Sequence, residues 1–229
     1  LCNFEQVFDC SQGASGSNHI FTSTIYEIET NQDIHCDNTL VLIMWSGLTR
    51  VDLVVQKNVD LMVKKDADLV IDSTMNFWSK NRYCFSKDLV SMPLLRSSKY
   101  STSKDSLSLD TLRESYHKII DNDAQIVVSA IKILALSNYL SNKGFDFVFL
   151  DWENYSTNVE LAKIHPNLSR AVRHKTSNIK SLGTYADENN LRIPGDGHPQ
   201  PDAHLYWTKQ HLIPFMMNLG YLESTMDSS

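Results

Sequence analysis

From Ile20 to Ile28 the positions Ile20, Phe21, Thr24, Ile25 and Ile28 recur at helical spacing and predict a helix with one buried face. Leu40 to Trp45 is a continuous apolar run, which suits a parallel strand covered on both faces and placed centrally in its sheet. A long helical pattern begins near Leu109 with Asp110 as N-cap. It continues through Leu112, Tyr116, Ile119, Ile120, Ile126, Val127, Ala130, Ile131, Leu134, Leu136 and Leu140, with a kink or break expected at Asp121-Asn122-Asp123. Lys143-Gly144 reads as its C-cap, and Phe145 to Leu150 as the next strand. Phe4 to Phe8 suggests a short first strand, Tyr155 to Leu191 short helices and loops, and Asp202 to Leu219 a terminal helix. Between Val51 and Ser108 no clean period emerges. Residues 76–108 read as an insertion or lid with local aromatic packing, and Ser97 to Ser108, with six Ser and two Lys, as a flexible exposed loop.

This alternation of strands and helices predicts an α/β domain in which helices cover a parallel sheet in three layers. A length of 229 residues fits one domain, 1–229, better than two.

Bulk composition narrows the classes. A hydrophobic share of 42% and a charged share of 21% are ordinary for a globular protein, and the net charge of -6 argues against a broad nucleic-acid or anionic-membrane surface. No uninterrupted apolar run reaches the roughly 20 residues that span a bilayer, and no signal-peptide pattern opens the chain; a cytoplasmic location is the expectation. Cys2, Cys10, Cys36 and Cys84 lack CxxC spacing, so reduced thiols are expected and no zinc ribbon is indicated.

Two loops carry candidate chemistry. Ile193 to Pro201 holds three Pro and two Gly in nine residues, which neither a helix interior nor a central strand accommodates. It is an ordered loop presenting Asp196 and His198 ahead of the terminal helix. A carboxylate against one imidazole nitrogen fixes the tautomer and leaves the other nitrogen to move protons near neutral pH. The second loop, Asp9 to Asn18, is built of small and polar residues that let backbone amides approach a ligand. With the helix after it, it forms a candidate anion or oxyanion cradle; the alternative is a plain turn with Ser17 or Asn18 as N-cap. Arg50, just past the Leu40 strand, points either at a ligand or at a surface acid such as Asp52. Asp151 and Glu153, at the end of the later strand, read more simply as capping groups than as catalytic carboxylates. Gly13-Ala14-Ser15-Gly16 is not GxGxxG and no P-loop Lys follows, which weakens a nucleotide-binding reading.

The order of a Gly/Ser/Asn loop, a strand ending near Arg50, a long helix, a strand, and Asp196-Gly197-His198-Pro199 before a helix with His204 resembles the SGNH (GDSL-like) hydrolase superfamily. The likeness is greatest to its divergent members from phage and marine bacterial genomes, and it covers most of the chain. The resemblance implies a flavodoxin-like three-layer α/β/α fold and a serine nucleophile on the first strand-to-helix turn. Asp196 and His198 match the late block. Gly13 or Gly16 resembles the second block, which supplies an oxyanion donor.

Three departures stand out. The Asp-to-His gap is two residues instead of the family's usual three. Trp45 to Arg50 lacks the Asn of the third block, so that Asn18 or Arg50 would have to serve as donor. No separate first block precedes the cradle, which suggests N-terminal truncation, with Ser11 as the fallback nucleophile. What the resemblance implies is an esterase or deacetylase acting on a small-molecule or glycan ester, with no metal, cofactor, nucleic acid or membrane involved. The competing expectation is a non-catalytic binding protein for an anionic or glycan ligand.

Overall fold

A computed structural model of the chain describes Val7 and residues 16–48, 51–56, 84–86, 89–94, 121–152, 159–195 and 198–222, with the strands 51–56, 84–86 and 89–94 described by their backbone. The chain is mixed α/β, with a two-stranded parallel sheet as its centre. The expected strand at Phe4 to Phe8 and the start of the long helix at Leu109 lie outside the described residues.

Helix α1 spans Ser17–Thr30. Its N-cap is Gly16, in an extended conformation with no side chain to cap the first turn, so the alternative of a plain turn capped by Ser17 or Asn18 does not hold. The helix is rich in hydroxyls, which Thr22, Ser23, Thr24 and Thr30 satisfy by donating to the carbonyls of Asn18, His19, Ile20 and Tyr26, each four residues back. That internal bonding lets Ser23 be buried against the core without a desolvated orphan group.

Strand β1, Leu40–Trp45, pairs in parallel with a later strand, Asp146–Asp151, in the register Leu40↔Asp146 to Trp45↔Asp151. Between them the chain makes a second sheet. Strand β2 (Val51–Gln56) lies antiparallel to β4 (Leu89–Leu94), which is also antiparallel to β3 (Cys84–Ser86), in the order β2-β4-β3. The expected insertion therefore contains ordered antiparallel strands. Pro93, opposite Asp52, has no N–H to give a second neighbour, and β3 pairs only with the Leu89–Val90 end of β4.

Helix α2, Asn122–Lys143, begins where a kink was expected. Asp121 is its N-cap, accepting from the Asp123 amide at 3.0 Å. Gly144 closes it in the left-handed region at φ 82, its N–H bonded to the Leu140 and Ser141 carbonyls, and the chain passes directly into β5 (Asp146–Asp151). By length and composition α2 is apolar enough to cross a membrane, yet Ile126, Ala130, Ile133, Leu136 and Leu140 are all buried in the core. Short helices α3 (Val159–Ile164), α4 (Pro166–Arg173) and α5 (Leu182–Glu188) follow. The terminal helix comes in three parts: α6 (Pro201–Trp207), a π-turn (Thr208–Leu212) and α7 (Ile213–Asn218). The π-turn, with Ile213 N–H on the Thr208 carbonyl, directly precedes Pro214, which has no N–H to extend an α-helical ladder.

Side chains alternate across the parallel pair. Val41, Ile43, Trp45, Phe147 and Phe149 join one apolar cluster with α1, α2, Leu161 and Val172. Leu40, Met44, Val148 and Leu150 join another with Leu182, Tyr185, Ala186, Ala203, Trp207 and Met216. Trp45 meets Phe149 edge-on, with ring centroids 5.5 Å apart. Strand β1 is less enclosed than its composition suggests: Leu42 is 47% exposed, and among the described residues β1 is bonded to β5 alone.

Candidate functional site

The carboxyl ends of β1 and β5 lie side by side, and the Trp152 amide donates to the Trp45 carbonyl at 3.2 Å as the strands end. Beyond them the chain gives Ser46-Gly47-Leu48 on one side and Trp152 on the other. Ligands of open α/β sheets bind at this end. Trp45 Nε1 and Ser46 Oγ are buried here with no hydrogen-bond partner among the described residues. Asp151 is buried opposite Trp45, and Glu153 lies outside the described residues.

The start of α1 is tied to this end through Ser129 of α2. The Ser129 hydroxyl donates to the Leu48 carbonyl at 2.8 Å, and its one proton is thereby committed. Ser17 Oγ, 2.9 Å away, must therefore be the donor to Ser129, as is Gln125 Nε2 at 3.2 Å. All three bonding positions of Ser129 are filled. Ser17 is held as a lock between α1 and α2, with its proton directed at Ser129.

One residue on, Lys132 Nζ donates to Asn18 Oδ1. Lysine only donates, so the contacting amide atom must be oxygen, and the Asn18 nitrogen lies on the side away from Lys132. His19 is buried behind this turn, and loss of solvent pushes its pKa down to about 4, so the ring is neutral at physiological pH.

His198 is carried by a hairpin. The Ile193 amide donates to the His198 carbonyl at 2.7 Å, the Gln200 amide to the Leu191 carbonyl at 2.8 Å, and Arg192 and Pro199 form the antiparallel bridge between them. Gly195, at φ 80 and with open space around it, turns the tip. Pro201 then opens α6, a helix start its fixed φ favours. The segment after His198 meets the end of β5, where the His204 and Trp152 ring centroids are 6.3 Å apart.

Of the residues singled out from sequence, Gly16 and Asn18 stand together at the start of α1, and His198 is exposed on the hairpin. Ser11, Gly13, Arg50 and Asp196 lie outside the described residues. No family model, curated protein or solved structure matches this chain. Among the described residues no cluster of three or more His, Cys, Asp or Glu is placed to hold a metal ion.

Sequence reasoning passed over Ser46, Ser129 and Arg192, and read Ser17 only as an N-cap alternative. Ser129 did leave a signal: a polar residue between Ile126 and Ala130, on the buried side of an apolar helix, calls for a partner. Arg192 left none, because its acid and carbonyl partners are recognisable only once α5 is in place.

Proposed function

We propose that this chain is a serine-dependent hydrolase of the SGNH (GDSL-like) type, an esterase or deacetylase with His198 as general base and a flavodoxin-like three-layer α/β/α fold. The observation that carries the reading is the hairpin 191–200, which holds His198 immediately ahead of a helix whose His204 meets Trp152 at the carboxyl end of β5. In the proposed reaction a serine hydroxyl attacks the ester carbonyl carbon and passes its proton to the His198 imidazole. The tetrahedral oxyanion collapses, and the leaving alkoxide takes that proton back. Water, activated by the same imidazole, then releases the acid. Asp196 would orient the ring, and Ser11 is the nucleophile candidate within this sequence. The start of α1 at Gly16, the Asn18 amide and the buried Ser46 hydroxyl are donor candidates for the oxyanion. The substrate class is a small-molecule or glycan ester, and the mechanism calls on no metal or cofactor.

A second reading, a binding protein for an anionic or glycan ligand, draws support from the Lys132 ammonium held beside Asn18 at the cradle. Labelling with a fluorophosphonate separates the two, because only an activated serine reacts. The hydrolase reading expects labelling, turnover of short p-nitrophenyl esters, and loss of both in His198→Ala. Undiminished turnover in that variant, or no labelling of the parent chain, defeats it.

A further inference from the structure

We infer that Arg192 is a positioning residue for His198, docking the hairpin that carries it onto the carboxyl end of the parallel sheet; the catalytic half of this inference rests on the hydrolase reading above. The guanidinium grips the Asp187 carboxylate with two bonds, Nε to Oδ1 at 2.7 Å and Nη2 to Oδ2 at 2.8 Å. The same Nη2 also donates to the Gly183 carbonyl at 3.1 Å. Gly183 in turn gives its amide to the Trp152 carbonyl at 2.9 Å, the residue that follows β5. On the other side, the Arg192 carbonyl accepts from Gln200 Nε2 at 3.0 Å, and the backbone of Arg192 bridges Pro199, next to His198.

A continuous path of hydrogen bonds thus runs from Trp152 through Gly183 and Arg192 to Gln200, across both strands of the hairpin. A planar fork is needed for it. Lysine, a single-point donor on a flexible stem, keeps the charge but cannot hold both carboxylate oxygens and the Gly183 carbonyl in fixed directions. Asp187 has its carboxyl held below the usual range by the bonds from Arg192, so the pair stays charged at neutral pH. The tip of the hairpin is exposed at Ile193, Pro194, Gly195 and His198, while its base is seated by buried Pro199 and by Leu191, which packs against the second apolar cluster. To that apolar footing Arg192 adds a polar contact with fixed direction.

The test compares the parent chain with Arg192→Ala, Arg192→Lys and Asp187→Asn by amide hydrogen exchange and by p-nitrophenyl acetate kinetics. Docking through Arg192 expects at least tenfold faster exchange at the Ile193 and Gln200 amides in all three variants, with the β1 and β5 amides unchanged. Unchanged exchange at Ile193 and Gln200 overturns it. Positioning of His198 further expects kcat to fall tenfold or more while KM moves less than twofold, with Lys failing to rescue. A fall in KM-dependent binding alone, or full activity in Arg192→Lys, overturns that half. An inactive parent chain defeats the hydrolase reading and the catalytic half with it, whereas the exchange result decides the docking by itself. Asp187→Asn leaves the Arg192 contact to Gly183 and the whole backbone intact, so it reports even if Arg192→Ala does not fold.

Discussion

Ser129 reaches from the middle of α2 to the carbonyl of Leu48, 81 residues earlier in the chain, and donates to it at 2.8 Å. Both ends of that bond are buried, and Ser17 and Gln125 converge on the same oxygen. One hydroxyl thus fixes the start of α1, the middle of α2 and the loop after β1 with respect to each other.

Replacing Ser129 with Ala leaves the Leu48 carbonyl and the Ser17 hydroxyl buried without their partner. Stranding such groups costs about 1–3 kcal/mol, and urea unfolding at pH 7 is expected to show a loss of that order with the slope unchanged. A change below about 0.5 kcal/mol would mean that the node is dispensable.

His19 gives the fold an acid-sensitive component. Its folded pKa, about 4, lies below its ordinary 6.5 because burial disfavours the charged ring. Above pH 6.5 neither state is protonated and the contribution is complete. Between pH 6.5 and about 4 only the unfolded chain takes up the proton, so stability falls as pH drops, by up to about 3 kcal/mol. His211, also lowered by burial and by the Lys180 charge, acts in the same direction. Unfolding free energies measured from pH 7.5 to 4.5 should decline in the parent chain and decline less in His19→Leu. Equal slopes would contradict the assignment.

Tyr139 and Glu29 join the far ends of α2 and α1. The phenol donates to Glu29 Oε1 at 2.5 Å, and Lys143 Nζ reaches the same oxygen at 2.9 Å. Burial first, and then the Glu29 carboxylate, push the Tyr139 phenol above its ordinary range. Titration followed by phenolate absorbance should find Tyr139 among the tyrosines that ionise late, together with Tyr221, which burial and Asp146 also push up. Glu29→Gln should bring Tyr139 alone part of the way down, since its burial persists. An unaltered tyrosine titration in Glu29→Gln would exclude the contact.

Gly144 tests the junction of α2 and β5. A Cβ there would meet Cys36 Sγ at 3.7 Å, an ordinary contact, so the cost of Gly144→Ala comes from the left-handed backbone at φ 82 and not from crowding. A loss of about 1–2 kcal/mol is expected in thermal unfolding, with Gly144→Asn milder. A neutral Gly144→Ala would show that the turn relaxes to another conformation.

Trp207 is buried in the second cluster, and its Nε1 donates to the Lys180 carbonyl at 2.6 Å. Trp207→Phe keeps most of the apolar area and removes the bond, for an expected loss of roughly 1–3 kcal/mol. Trp207→Ala adds a cavity and should lose about 3–5 kcal/mol. Similar losses in the two variants would show that the hydrogen bond, and not the packing, dominates.

Several elements were legible because their signals are local. The runs from Leu40 to Trp45 and from Phe145 to Leu150 are too apolar for a surface loop, and both became strands, the second shifted by one residue to Asp146–Asp151. Gly144 was readable as a C-cap because a left-handed residue must follow a helix that turns straight into a strand. The proline-rich stretch before α6 was readable as a loop, but the hairpin pairing of Arg192 with Pro199 was not, since no alternation of residues marks a single bridge. The strands β2, β3 and β4 were missed because no continuous apolar run and no regular apolar period marks them.

By itself, the sequence determined where helices and strands can begin and end, through apolar period, glycine and proline. Tertiary structure alone decided what the polar groups do beyond their own turn of helix. Ser17 meets Ser129 across 112 residues, and Lys132 meets Asn18 across 114. A hydroxyl, an amide or a guanidinium has no periodic signature that names its partner. Its role is set by which donors and acceptors burial brings within 3 Å, and that is a property of the packed chain.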